Sequence, residues 1–115
     1  MTDFPPSADT AYINAPHPQE ETEEILRLRR AGRISDREWL LRRAALTDRQ
    51  TLGANPADGK VQTSSQGTFA KLLAFDVENG TTTGPRATDD PAWTDDPRGY
   101  VRQEYAIWAA QDARP

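Results

Sequence analysis

Three groups of side chains in this sequence are of types that carry chemistry. His17 is the single histidine, and an imidazole is the side chain best suited to moving protons near neutral pH. It stands between Pro16 and Pro18, where no element is expected to hold it, and a general acid–base group has to be held and oriented. Asp89, Asp90, Asp95 and Asp96 form two acid pairs, in outline a cation site. They lack the alternating spacing and central glycine of a calcium loop. Eight arginines lie between Arg27 and Arg49 against Asp36, Glu38 and Asp48, a density that raises phosphate binding as a question. There is no cysteine, which removes disulfides, thiolate ligands and thiol nucleophiles. No glycine-rich phosphate loop occurs. The residues predict a chain without catalytic groups, metal site or cofactor.

The elements that must position these groups are mostly helical. Residues 1–17 read as a disordered arm, punctuated by Pro5, Pro6 and Pro16, with Tyr12 and Ile13 as possible anchors onto a folded body. A first helix starts at Pro18, whose missing N–H costs nothing at that position. Glu20, Glu21, Glu23 and Glu24 suit the positive end of its dipole, and Arg27, Arg29 and Arg30 the negative end. Gly32 supplies the stop, because glycine takes the left-handed conformation readily. Ser35 and Glu38 form a capping box for a second helix, with Ile34 and Trp39 as its hydrophobic staple. The resulting hairpin spans residues 18–50, followed by a linker over 51–64 in which 60–63 has the pattern of a short strand.

Beyond the linker, Phe69, Leu72 and Leu73 recur at helical spacing, predicting a helix over 65–78 ended by Asn79-Gly80. A strand over Thr68–Val77 is the alternative, given its β-branched and aromatic content. Residues 81–96 form a long acidic loop. Asp96 as cap and Pro97 at the first position open a last helix, whose apolar arc holds Tyr100, Val101, Tyr105, Ile107 and Trp108 with Glu104 among them. The fold class expected is mainly α: a small helical domain built on the hairpin, with 65–115 as its C-terminal helical part. On a helical wheel, Leu40, Leu41, Ala44 and Ala45 share one arc of the second helix, while Trp39 and Leu46 lie nearly opposite. Either the C-terminal part of the chain or another molecule must cover that second arc.

The run Leu28-Arg29-Arg30-Ala31-Gly32-Arg33-Ile34-Ser35-Asp36-Arg37-Glu38-Trp39 resembles the SHOCT-type short helical hairpin. That family has a helix ending in a small residue plus glycine, then Ile or Leu, a Ser/Thr cap, a Glu and an aromatic. The stretch from Ala31 to Leu52 is also similar to a related actinobacterial module with an arginine-, alanine- and leucine-rich continuation. The resemblance covers about 30 of the 115 residues. It implies oligomerisation or binding and brings no catalytic residue with it.

The function expected from these features is a non-enzymatic protein-interaction or assembly module. Trp39, Leu46, Trp93, Tyr100, Tyr105 and Trp108 are its candidate partner-binding residues, contacting a protein partner or a second copy. The alternative is a nucleic-acid-binding regulator using Arg29, Arg30, Arg33, Arg37, Arg42 and Arg43. Against that alternative stand the net charge of −4 and the placement of Asp36 and Glu38 at the start of the second helix, where they repel phosphate. The first residues lack a basic start followed by an apolar run, and no stretch reaches the ~20 residues of a membrane span. A cytoplasmic protein is expected. Its lysine-poor, arginine-, alanine- and aspartate-rich composition suits a high-GC genome, with a phage or mobile element as a reasonable owner.

Overall fold

The computed structural model describes residues 6–52 and 59–112, with side chains described for 6–52, 67–94 and 96–111. The elements run α1 (Ala8–Ala11), α2 (Pro18–Arg30), α3 (Asp36–Thr51), α4 (Gly59–Asn79), α5 (Ala92–Asp95) and α6 (Pro97–Asp112), and no strand occurs among the described residues. The mainly helical class and the hairpin are therefore as the sequence predicts.

Helix ends follow the local chemistry closely. Pro18 is the first residue of α2, and the lone histidine serves as its cap, His17 Nδ1 accepting the Gln19 N–H at 3.2 Å. At the other end Gly32 has φ 68°. The Arg33 N–H then reaches the Leu28 carbonyl at 2.8 Å and the Gly32 N–H that of Arg29 at 3.1 Å, the paired bonds of a Schellman stop. Ser35 caps α3 through Glu38 N–H at 3.1 Å. The reciprocal half of the expected box is replaced: the Glu38 carboxylate accepts from Arg42 instead, at 3.2 Å. Asp96 Oδ1 accepts from Gly99 N–H at 3.1 Å and so caps α6.

Three expectations change. The strand pattern over 60–63 and the strand alternative over Thr68–Val77 are both overridden by α4, one continuous helix from Gly59 to Asn79. Helical spacing decides it: Phe69 and Leu72 are one turn apart and both buried in the core. Of the expected arm, residues 1–5 lie outside the described residues, while 6–17 rest on the body as a helical turn and a docked Tyr12. The acidic loop contains the helical turn α5, in which Trp93 is buried, its indole N–H donating to the Ala87 carbonyl at 2.8 Å.

α3 is the central element, packing on α2, α4 and α6, and α6 in turn gathers α1, α4 and α5. Leu41, Ala44 and Ala45 of α3 meet Phe69 and Leu72 of α4 and Tyr100, Val101 and Tyr105 of α6 in the main core. Each large side chain buried there is worth about 1.5–3 kcal/mol. Within this chain the second arc of α3 is not lined by the C-terminal part. It turns to the other helix of the hairpin: Leu46 is buried, Trp39 is half-buried, and both line one groove with Ile25 and Leu26 of α2.

Candidate functional site

The polar interior of the bundle is organised around four carboxylates, each at the spacing of an apolar core residue. Glu21 precedes buried Ile25 by four residues, Asp48 follows Ala44 by four, Asp76 follows Leu72 by four, and Glu104 follows Tyr100 by four. All four are buried. A buried carboxylate is costly unless charge and hydrogen bonds compensate it, and here both do.

Glu21 accepts from Arg42 Nε at 3.0 Å, Arg49 Nη1 at 2.8 Å and the Tyr105 hydroxyl at 3.1 Å to each oxygen. Asp48 accepts from Tyr12 at 2.6 Å, Arg98 at 2.8 Å and Arg102 at 2.8 and 3.0 Å. Asp76 holds Arg37 in a two-pronged pair at 2.7 and 2.9 Å, with Thr81 at 2.7 Å and the Tyr100 hydroxyl also donating. Glu104 shares Arg37 at 2.6 Å and accepts the backbone N–H groups of Thr83 at 2.7 Å and Gly84 at 2.8 Å. Three of the centres therefore repeat one plan, a carboxylate facing a guanidinium and a phenol from other parts of the chain.

Charge follows from this geometry. Burial pushes the Asp48 carboxyl up, but hydrogen bonds from Arg102, Tyr12 and Arg98 outweigh it and hold the group below its ordinary value. Asp76 is likewise lowered, burial being overcome by Arg37, Tyr100 and Thr81. The phenols shift the other way. Burial first, then the neighbouring carboxylate, raises Tyr12 against Asp48, Tyr100 against Asp76 and Tyr105 against Glu21. Each phenol stays protonated and Asp48 and Asp76 stay ionised, so these groups act as donor and acceptor that tie helices together.

The arginines of the hairpin divide accordingly. Arg37 and Arg42, both candidate nucleic-acid contacts, turn inward; Arg42 pairs with Glu21, Glu24 and Glu38 and lies 4.9 Å from the Trp108 ring centroid. Arg29 pairs with Asp36 at 2.9 Å on the surface. Arg30, Arg33 and Arg43 are exposed, as is Arg27, and these four form no ion pair among the described residues. The guanidinium carbons of Arg29 and Arg43 lie 5.2 and 5.3 Å from the Trp39 ring centroid.

The candidate partner-binding residues also divide. Leu46, Trp93, Tyr100 and Tyr105 are buried in this chain, because α2 covers the first and the α3–α4–α6 core absorbs the aromatics. Trp39 and Trp108 are the two that reach the surface, half-buried. Trp39 lines the groove of about 280 Å3 between α2 and α3. Trp108 lines a second groove of about 380 Å3 with Tyr105, Ala109 and the 10–16 segment of the docked arm. Among the described residues the exposed large apolar side chains are Ile13, Leu26, Leu52 and Val77.

Asp90 is engaged by the Ala92 N–H at 2.9 Å and by Arg86 at 3.5 Å, and Asp96 by its capping role. Among the described residues no group of three His, Asp or Glu side chains is placed to hold a metal ion, and no helix is long and apolar enough to cross a membrane. Comparison with family models, curated proteins and solved structures returned no match. The site is accordingly read from its own geometry. Sequence reasoning missed Glu21, Asp48 and Asp76 as organising groups, together with Arg98 and Arg102. The signal that finds them is an acid at a core register of a helix.

Proposed function

We propose that this chain is a non-enzymatic protein-interaction module, in which a body tied together by buried ion pairs holds out the α2–α3 face of the hairpin. What supports this reading is the division between interior and surface. The groups best able to do chemistry spend their hydrogen bonds on one another inside the bundle. The outer hairpin face keeps an apolar groove and the guanidinium groups of Arg30, Arg33 and Arg43, which form no ion pair among the described residues. The resemblance of Leu28–Trp39 to SHOCT-type hairpins points the same way.

The test is purification of the tagged full chain from its native host, with light scattering on the purified protein. A stoichiometric partner, or a defined oligomer, is the expected result. A monomer at every concentration with no stoichiometric companion sinks the reading. The exposed Arg27, Arg30, Arg33 and Arg43 favour a second reading, phosphate-backbone binding. Its expected sign is a mobility shift that weakens steeply with salt; no shift at low salt removes it.

A further inference from the structure

The chemistry of the α2–α3 groove specifies what would fill it. Ile25 and Leu26 of α2 and Trp39 and Leu46 of α3 give it an apolar lining, while Thr22, Thr47 and Gln50 line it with polar groups. At about 280 Å3 and open on one side, it falls just below the ~300–1,000 Å3 of clefts that enclose small molecules. A large apolar side chain entering from a protein surface matches it better. Leu26, 45% exposed, stands at its edge as a ready contact.

Positive charge without an ion pair among the described residues lines the groove at Arg43 and stands toward the turn at Arg30 and Arg33. Arg43 lines the groove, and Arg29 lies over Trp39 beside it. Arg29 and Arg30 follow Leu26 by three and four residues on the same side of α2, and Arg33 stands just past the Gly32 stop in the turn. Of the neighbouring carboxylates, Asp36 is bonded to Arg29, and Glu24 and Glu38 are bonded to Arg42. Glu23, three residues before Leu26, and Glu20 are exposed on α2 toward the end of the groove away from the turn. Arg30, Arg33 and Arg43 are left without ion pairs among the described residues.

Resting on the interaction reading above, we propose that the α2–α3 groove docks an acidic amphipathic helix of another protein. Its large apolar side chain seats between Leu26, Trp39 and Leu46, and its flanking carboxylates pair with Arg43 and the Arg30–Arg33 end of the hairpin. Helix-in-groove docking of this kind combines an apolar anchor with charges that set orientation. Phosphate alone would leave the apolar lining unused, and a purely apolar partner would leave the guanidinium groups unpaired.

The test uses the full chain and a labelled synthetic peptide of about 18 residues, long enough for a marginal helix. The peptide carries leucines at helical spacing and glutamates on either side. A matched peptide has lysines for the glutamates, and a labelled DNA duplex is the third probe. Fluorescence anisotropy should show saturable binding of the glutamate peptide and none of the lysine peptide. Leu26→Asp and Arg43→Glu should each weaken binding roughly tenfold, while Ile13→Asp, outside the groove, should not. Both groove positions are exposed, and an unchanged urea midpoint confirms that those variants fold. No saturable binding of the glutamate peptide, equal binding of both peptides, or tighter binding of the duplex overturns the proposal. So does a homodimer that Leu26→Asp dissociates. If any of these occurs while a stoichiometric partner still co-purifies, only the acidic-helix chemistry falls and the interaction reading stands.

Discussion

Arg42 and Arg43 are neighbours in the chain and sit in opposite environments. Arg42 is 3% exposed and pairs with three carboxylates, while Arg43 is exposed, pairs with none among the described residues, and lies near the Trp39 ring. One residue step turns a helix by about 100°. On α3 that step carries a guanidinium from the seam with α2 out to solvent. The contrast extends to Arg37 and Arg49, which face inward to Asp76, Glu104 and Glu21, and to Arg30 and Arg33, which do not. A dense run of arginines is therefore two populations, one structural and one free, and only the second is available to a partner.

Changing pH should separate the populations most sharply. Asp48 and Asp76 titrate below their ordinary value when folded. Their contribution is thus present above about pH 4 and lost as pH falls through the folded-state values. All three tyrosines titrate above theirs, so their contribution is present below about pH 10 and lost as pH rises beyond it. Urea midpoints should be level between these limits and fall outside them. Tyrosinate absorbance should appear only together with loss of helix; a step near pH 10 with helices intact would place a phenol in water.

Among substitutions, Asp48→Ala should be the most damaging, at about 3–5 kcal/mol, because it strands Arg98 and Arg102 beside a buried site. Urea unfolding measures it, and a loss under about 1 kcal/mol would mean that this centre is open to water. Gly84→Ala should cost about 1–3 kcal/mol. A Cβ there would sit 2.0 Å from Gln103 Nε2 and 2.3 Å from its Cγ, and Gln103 is buried, its amide bonded to the Arg86 carbonyl and Glu104. Ser35→Ala removes the α3 cap and should cost about 1 kcal/mol, seen as a lowered thermal midpoint. Arg43→Ala should change stability by no more than about 0.5 kcal/mol. An equal loss from Arg43→Ala and Asp48→Ala would erase the distinction between the two populations.

Much of the frame was legible because its signals are local. Pro18, Gly32, Ser35, Asp96 and Pro97 each act within a turn of their own position, and each marks a helix end where expected. The interior was not legible because its partners are far apart in sequence. Tyr105 meets Glu21 across 84 residues, Arg102 meets Asp48 across 54, and Arg37 meets Asp76 across 39. No local pattern says which arginine will find which acid. The aromatic arc of α6 was visible as an arc, but its destination was not. Tyr100 and Tyr105 are consumed as donors to Asp76 and Glu21 in the core, which removed them as partner contacts.

Most of these distant bonds end on α6. It supplies Arg98, Tyr100, Arg102, Glu104 and Tyr105, which reach residues of α2, α3 and α4. On the ribosome it is also the last of the described helices to be made. Until it emerges, Glu21 lacks its phenol, Asp48 lacks both guanidinium partners, and Arg37 lacks Glu104. The hairpin and α4 therefore lack these partners until α6 is present, and its packing completes the set of distant bonds. Premature termination before α6 would then leave a chain without these closing bonds.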